Sequence, residues 1–373
     1  MKIIKTMSKD YSSIFSSIDE ILHDLNKGKM VVIVDDEKRE NEGDLVFNAD
    51  QVDSKKINFM AKNARGLICL ALEKEKADKL DLKLMSNQNS SRHKTAFTVS
   101  IEAKHGVTTG ISAKDRSKTI EVAANKNAQS KDIVSPGHIF PVVAKNGGVL
   151  VRAGHTEAAV DLARLSGKNP SGVICEIMND DGTMARLKDL AKFCKKYKMK
   201  IGSIKDLIEY RIRKEKFVRF VSERDLQTSF AGKFKLRIYE NILDSMQHLV
   251  LLKGVISKDK SNLVRMHTFN IFDDFLDFYS IGNGNLSKCM RIINKHGSGV
   301  IVIIRNPRKE INLEKKIQSE DSNKLKEYGI GAQILLDLGI RNISLITNRN
   351  KEIIGIEGFG LKIQNFISIK DKD

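Results

Sequence analysis

Short apolar runs, each closed by a glycine or a charged loop, alternate with stretches of helical periodicity along this chain, and that alternation confines it to a layered fold of helices on a sheet. Met30–Val34, Gly66–Leu72, Gly172–Met178, Leu249–Leu252, Val300–Ile304 and Ile343–Ile346 read as buried strands. Ile14–Asn26 sets Ile14, Ile18, Ile21, Leu22 and Leu25 on one helical face, and Gly28 ends it. Asn58–Ala64, Asp115–Ala128, His155–Ser166, Met184–Tyr197 and Lys324–Leu338 read as further helices. Thr95–Glu102 alternates like a strand. Pro136 and Pro141 bracket a strand or turn that holds His138, and Gly147-Gly148 reads as a tight turn before a strand ending at Arg152. The fold class is α/β or α+β.

With 373 residues the chain has room for two domains. Charge crowds between Ile208 and Phe220 (Arg211, Arg213, Lys214, Glu215, Lys216), which places a linker there and gives domains at 1–210 and 218–373. The net charge of +17 divides as +7 up to Tyr210 and +10 beyond it. The lysines are scattered, and with six Tyr and no Trp there is little to stack bases on, so anionic small molecules are expected rather than nucleic acid. No run reaches the roughly 18 apolar residues of a membrane-spanning helix. Met1–Asp10 is charged and lacks the apolar run of a secretory signal. Cys69, Cys175, Cys194 and Cys289 form no CxxC pair, so neither a zinc cage nor a disulfide framework is expected, and a reducing cytoplasm is the natural compartment.

Four places carry chemistry. Asp35–Asp44 follows a buried strand directly and supplies Arg39, Glu40, Glu42 and Asp44, with Asp36 nearby. Loops after central strands are where α/β folds place ligand groups, and hard carboxylate oxygens there suit Mg²⁺. Gly147–Glu157 brings Arg152, Gly154, His155 and Thr156 to the start of a helix, an anion site in which His155 could complete a metal site with Glu40. Asp132–Pro141 holds His138 on a rigid turn, and Cys175–Met184 puts Glu176 in an apolar strand, where a carboxylate needs a partner or serves as an acid/base.

Taken in order, DDEKRENEGD (35–44), TTGISAKDR (108–116), SPGHIFP (135–141), GGVLVRAGHTEAAVDL (147–162) and GVICEIMNDDGTMAR (172–186) resemble the 3,4-dihydroxy-2-butanone 4-phosphate synthase family of riboflavin biosynthesis over residues 20–205. The resemblance implies a mixed-sheet domain that converts ribulose 5-phosphate to a four-carbon ketone phosphate and formate with Mg²⁺, Mn²⁺ being an alternative. By matching position it implies Glu40 and His155 as metal ligands, and His138 and Glu176 as catalytic residues. Arg39, Glu40, Asp44, Glu176 and the stretch Arg152, Ala153, Gly154, His155 and Thr156 would contact substrate. Glu42, Asp115 and Arg116 match further polar positions, and the family's typical homodimer, with pockets near the subunit interface, is implied as well.

Beyond about residue 218, Leu263–His267, Tyr328–Leu335, Leu338–Arg341, Leu345–Asn348 and Ile356–Leu361 resemble GTP cyclohydrolase II, which implies a second α/β domain. That family holds zinc on three cysteines after an Arg-x-His motif, whereas Thr268–Leu286 contains none and Cys289 stands alone. Its glycine-rich loop is replaced by Asn306–Glu310, and its catalytic acidic and arginine positions by Lys324 and Lys326. The expectation is a second domain without zinc or catalysis; the alternative is a bifunctional enzyme that also hydrolyses GTP.

Overall fold

The computed structural model describes residues 14–37, 39–86, 88–90, 95–269, 274, 285–305, 321–347 and 360–369, with backbone only for 321–328. The chain divides into two compact units, Met1–Arg211 and Ile212–Asp373.

In the first unit, α1 (Ile18–Asn26) is fixed by a capping box in which Ser17 and Glu20 satisfy each other's backbone N–H groups, and Gly28 leaves it at φ +76°. β1 (Val31–Val34) and β2 (Gly43–Asn48) form an antiparallel pair, Val34 opposite Gly43. The strands β3 (Cys69–Leu72), β4 (Ile101–Ala103), β5 (Ile133–Val143), β6 (Ser171–Glu176) and β7 (Ile201–Ser203) complete a sheet ordered β4-β5-β3-β6-β2-β1-β7. It is mixed, because β3 pairs parallel with β5 and β1 parallel with β7 while the other pairs are antiparallel. β1, β2 and β3 are buried along their whole length, as their uninterrupted apolar runs require. α5 (His155–Leu165) lies across the sheet and is buried from His155 to Ala163. α2 (Ser54–Phe59), α3 (Lys74–Lys79), α4 (Ala113–Ala124) and α6 (Leu187–Tyr197) complete the described helices of this unit up to β7.

Three expectations need correction here. Gly148–Leu150 is a single 3₁₀ turn and not a strand, because Gly147 and Gly148 both hold positive φ and Arg152 N–H reaches back to Gly148 O at 3.1 Å. Thr95–Glu102 pairs only at isolated bridges through Phe97 and Thr98 before β4 begins at Ile101. The stretch expected as a linker is helical: α7 (Ile204–Lys214) buries Ile204, Leu207, Ile208 and Ile212 at helical spacing. Within it Arg211 is itself buried, 2.8 Å from Asp161 Oδ2, so one of the charges that signalled a loop is an interior ion pair.

In the second unit the sheet runs β14 (Lys362–Ile367), β13 (Asn342–Ile346), β11 (Asn262–Thr268), β12 (Gly299–Ile304), β10 (Met246–Lys253), β9 (Gly232–Asn241), β8 (Val218–Thr228). The first three pairs are parallel and the rest antiparallel. Helix Asp321–Asp337 packs Ala332, Ile334 and Leu335 on one face, and helix Asn285–His296 packs Cys289, Met290 and Ile293 on the other. The side chains of Lys324 and Lys326, and the segment Asn306–Glu310, lie outside the described residues.

Candidate active site

β1 and β2 run side by side, so the loop between them is presented at the sheet's end. Asp35 organises it from inside. Its carboxylate, almost fully buried, accepts Glu42 N–H at 2.9 Å, Glu40 N–H at 3.1 Å and Arg39 Nη1 at 2.8 Å. Arg186, at the N-cap of α6, holds the same loop from outside by donating to Glu40 O at 2.8 Å and to Asn41 O. Glu40 and Arg39 face each other at 2.8 Å.

The first residue of α5 meets this loop. His155 Nε2 lies 3.2 Å from Ile33 O, a carbonyl that can only accept, so Nε2 carries a proton and Nδ1 is the nitrogen left to hold either the second proton or a cation. Nδ1 faces Glu40 Oε2 at 3.7 Å and Asp44 Oδ1 at 3.8 Å. Asp44 Oδ1 is buried and accepts no hydrogen bond. Asp35, Glu40 and His155 have ligand atoms within 4.8 Å of one another, but both Asp35 oxygens are already engaged by N–H groups. Glu40, His155 and the unengaged Asp44 oxygen are therefore the groups that fit a divalent cation. Burial pushes the Asp44 carboxyl up to about 7, with the carboxylates of Glu176 and Glu40 adding to it against the opposing charge of His155. Burial works against charge on His155 too, yet Asp44, Glu40 and Asp35 outweigh it and bring the imidazole up to about 9. This crowding of negative groups round one ring is the electrostatic signature of a cation site.

Glu176 is the last residue of β6, opposite Asp44 in the β2 register, and Leu67 N–H donates to its Oε2 at 2.8 Å. Across the site, Arg152 is anchored by Glu157 at 2.5 Å and by Thr95 Oγ1 at 3.1 Å. A side chain at Gly154 would bring Cβ within 2.4 Å of Arg152 Nη1, so the glycine gives that pair its room. These groups enclose a cavity of about 450 Å³, a size suited to a small phosphorylated metabolite.

Of the expected site residues, Arg39, Glu40, Asp44, Arg152, His155, Thr156 and Glu176 line this cavity. Ala153 and Gly154 turn the backbone into α5 without lining it. His138 stands in β5 rather than on a turn, does not line the cavity, and pairs through Nδ1 with Glu102 Oε2 at 2.7 Å. Asp115 caps the loop before α4, where the Thr108 hydroxyl above all holds its carboxyl below the usual range. The sequence reading did not single out Asp35, Thr95, Glu157 or the lining contributed by Cys69 and Arg186. Asp35 carried a usable signal, being the first carboxylate after a buried strand; the others come together only through the sheet order.

Residues 19–210 match the family model described as 3,4-dihydroxy-2-butanone 4-phosphate synthase. The chain belongs to the 3,4-dihydroxy-2-butanone 4-phosphate synthase family. A synthase of that name from Neisseria meningitidis serogroup A is 45% identical over 356 residues, spanning 94% of this chain and 98% of its own length. The riboflavin biosynthesis protein RibBA of Aquifex aeolicus is 45% identical over 377 residues, spanning 95% and 93%. Among solved structures, RibBX, a two-domain synthase from A. baumannii, superposes with a TM-score of 0.78 at 39% identity over 94% of this chain and 99% of its own. A synthase structure in complex with two magnesium ions matches with a TM-score of 0.52 at 38% identity, covering 54% of this chain and 98% of its own. Residues 219–368 match the family model described as GTP cyclohydrolase II, so the synthase unit is fused to a cyclohydrolase-type unit.

Proposed function

We propose that this chain converts ribulose 5-phosphate to 3,4-dihydroxy-2-butanone 4-phosphate and formate in riboflavin biosynthesis, with Mg²⁺ held by Glu40 and His155. The observation that supports it most is the His155 ring, its Nε2 tied to Ile33 O and its Nδ1 turned to Glu40 and Asp44. A bound divalent cation supplies positive charge to the oxygens of an α-hydroxyketone, which eases removal of the neighbouring proton. The oxygen-rich donor set accepts Mn²⁺ as well.

The chain's own residues supply the rest. Arg39 and Arg152 face the cavity with their guanidinium groups fixed by carboxylates, which orients them for phosphate and hydroxyl oxygens. Thr156, in the first turn of α5, adds a hydroxyl at the positive end of the helix. Glu176, pinned at Oε2, keeps Oε1 for moving protons at the substrate carbons.

His138 fits the same reading if a second copy completes the site. It lies four residues before the cavity-lining Val142, roughly 13 Å along the strand. Val134, in β5, and Ile111, in the loop before α4, are both exposed apolar side chains of the kind a homodimer contact would cover. The second unit is read as non-catalytic. Cys289 is wholly buried in a helix, where burial pushes its thiol up to about 11, so it is no zinc thiolate by itself. The stretch Thr268–Leu286, free of cysteine, lies largely outside the described residues. Four reduced, buried cysteines accord with a cytoplasmic enzyme.

The test is the purified full chain with ribulose 5-phosphate, followed for formate with and without EDTA. Mg²⁺-dependent release is expected; no release, or release that EDTA does not touch, overturns the reading.

A further inference from the structure

The backbone that holds Glu176 is built in an unusual way. After α2 the chain widens into a π turn over Met60–Ala64, in which Arg65 N–H reaches back to Met60 O at 3.0 Å. Such turns cost hydrogen-bond quality and persist mainly where function needs the altered register. Phe59, Phe193 and Tyr197 pack against one another edge-to-face or tilted, and Tyr197 OH donates to Asn63 Oδ1 at 2.9 Å. Arg65 then takes φ +70°, a conformation L-residues adopt at a cost.

The outcome is a zipper onto the end of β6. Met178 N–H donates to Ala64 O at 2.9 Å, Arg65 bridges to Ile177, and Leu67 N–H reaches Glu176 Oε2 at 2.8 Å. Arg65 Nη1 donates to Met178 O at 2.8 Å and to Asn63 O at 3.0 Å, and its other terminal nitrogen meets Asp180. Between these contacts Gly66 passes so close that an added Cβ would lie 2.4 Å from Glu176 O and 2.7 Å from Glu176 N. Backbone atoms cannot yield as a flexible side-chain tip can, so Glu176 would have to move. Neither Arg65 nor Gly66 lines the cavity.

We propose that the Ala64–Leu67 backbone is the positioning element for Glu176, with Gly66 allowing the close approach and Arg65 latching its register. This rests on the assignment of Glu176 as the group that moves protons. A glutamate has several free torsions; one N–H on Oε2 and a backbone pressed against its main chain leave a single placement for Oε1. Displacement of about 1 Å at such a group costs roughly 100-fold in rate.

The experiment compares Gly66→Ala, Arg65→Met, Arg65→Lys, Glu176→Gln and the double variant Gly66→Ala/Glu176→Gln in the full chain. It measures kcat, KM for ribulose 5-phosphate, Mg²⁺ affinity by calorimetry and melting temperature. Gly66→Ala is expected to lower kcat roughly 100-fold with KM and Mg²⁺ affinity within about twofold. In the Glu176→Gln background the same substitution should add nothing further. Arg65→Met should cost about tenfold in kcat, and Arg65→Lys should recover part of it, because an ammonium still donates to Met178 O. Wild-type kcat in folded Gly66→Ala beside an inactive Glu176→Gln overturns the positioning role alone. Equal losses with and without Glu176 overturn it too, since they mark general damage. A fully active Glu176→Gln overturns the assignment of Glu176 itself. If Gly66→Ala fails to fold, the Arg65 pair decides: unchanged kcat in both variants overturns the latch.

Discussion

His155 donates through Nε2 to Ile33 O while its Nδ1 stands 3.7 Å from Glu40 Oε2, so a central strand sets the orientation of a ring that faces the acidic loop. In the proposed role as a metal ligand, Nδ1 would be aimed before any cation arrives, and second partners of this kind typically control affinity by about 10–100-fold.

Removing the ring should therefore cost more than removing its support. His155→Ala is expected to lower Mg²⁺ affinity by well over roughly 100-fold and to abolish formate release, while the far-ultraviolet circular dichroism stays that of the parent. Calorimetric titration with Mg²⁺ alone reads this without turnover. Parent-like affinity in the variant would remove His155 from the ligand set.

The metal-free site also makes a statement about pH. Asp44 is pushed from 3.8 up to about 7, and His155 from 6.5 up to about 9. Both pKa values are higher folded than unfolded, so the folded state binds more protons across this window. Stability is then greatest below the unfolded values and is lost as pH rises through the folded ones. The melting temperature of the EDTA-treated protein should fall as pH rises from about 4 towards about 9, and the increment given by saturating Mg²⁺ should grow over the same range as the cation replaces those protons. An increment independent of pH would show that the cation binds elsewhere.

Much of this site is legible in the sequence, and what is not has a physical cause. His155 and Glu176 are legible because one begins a helix and the other ends a buried strand, and Glu40 and Asp44 because they belong to the charged run that follows the buried strand β1. Val149–Val151 reads as a strand although Gly148–Leu150 is a 3₁₀ turn, because an apolar triplet carries no period of its own. The charge crowding that includes Arg211 reads as a linker because charge normally marks surface; its partner Asp161 belongs to α5, a pairing only the tertiary fold reveals. Thr95 and Glu157 were invisible for the same reason, since each acts by holding Arg152.

That hidden support gives a prediction about binding. Burial raises the Glu157 carboxyl, the Arg152 charge opposes this, and Lys145 N–H holds the other oxygen at 3.0 Å. Glu157→Gln keeps the shape and removes the charge that fixes Arg152. KM for ribulose 5-phosphate should rise about tenfold with a smaller change in kcat, the size expected for one charge-assisted hydrogen bond. Unchanged KM in steady-state assays would exclude Arg152 from substrate binding.

The Arg211–Asp161 pair predicts stability rather than catalysis. Both side chains are buried, Asp161 also accepts Val149 N–H at 2.8 Å, and Arg211 donates to Gly147 O at 2.8 Å. Arg211→Ala leaves the buried Asp161 carboxylate with only the more distant, partly exposed Arg164 at 3.7 Å as a cationic partner, and should cost about 3 kcal/mol in chemical denaturation. A loss below about 1 kcal/mol would mean the pair behaves like an exposed one.

The second unit supplies the last prediction. A cyclohydrolase-type site needs a zinc-activated water, and thiolates are what hold such a zinc in this family's pattern. Thr268–Leu286 offers no cysteine, and Cys289 is packed among Met290 and Ile293 beneath the sheet. The full chain should purify with far less than one zinc per chain by atomic emission, and should release formate from ribulose 5-phosphate but none from GTP. Separate substrates are essential, because each reaction would yield the same product. Lys324→Ala should leave the synthase rate unchanged. Stoichiometric zinc together with formate from GTP would instead make the chain bifunctional, with a metal site built from groups other than the family's cysteines.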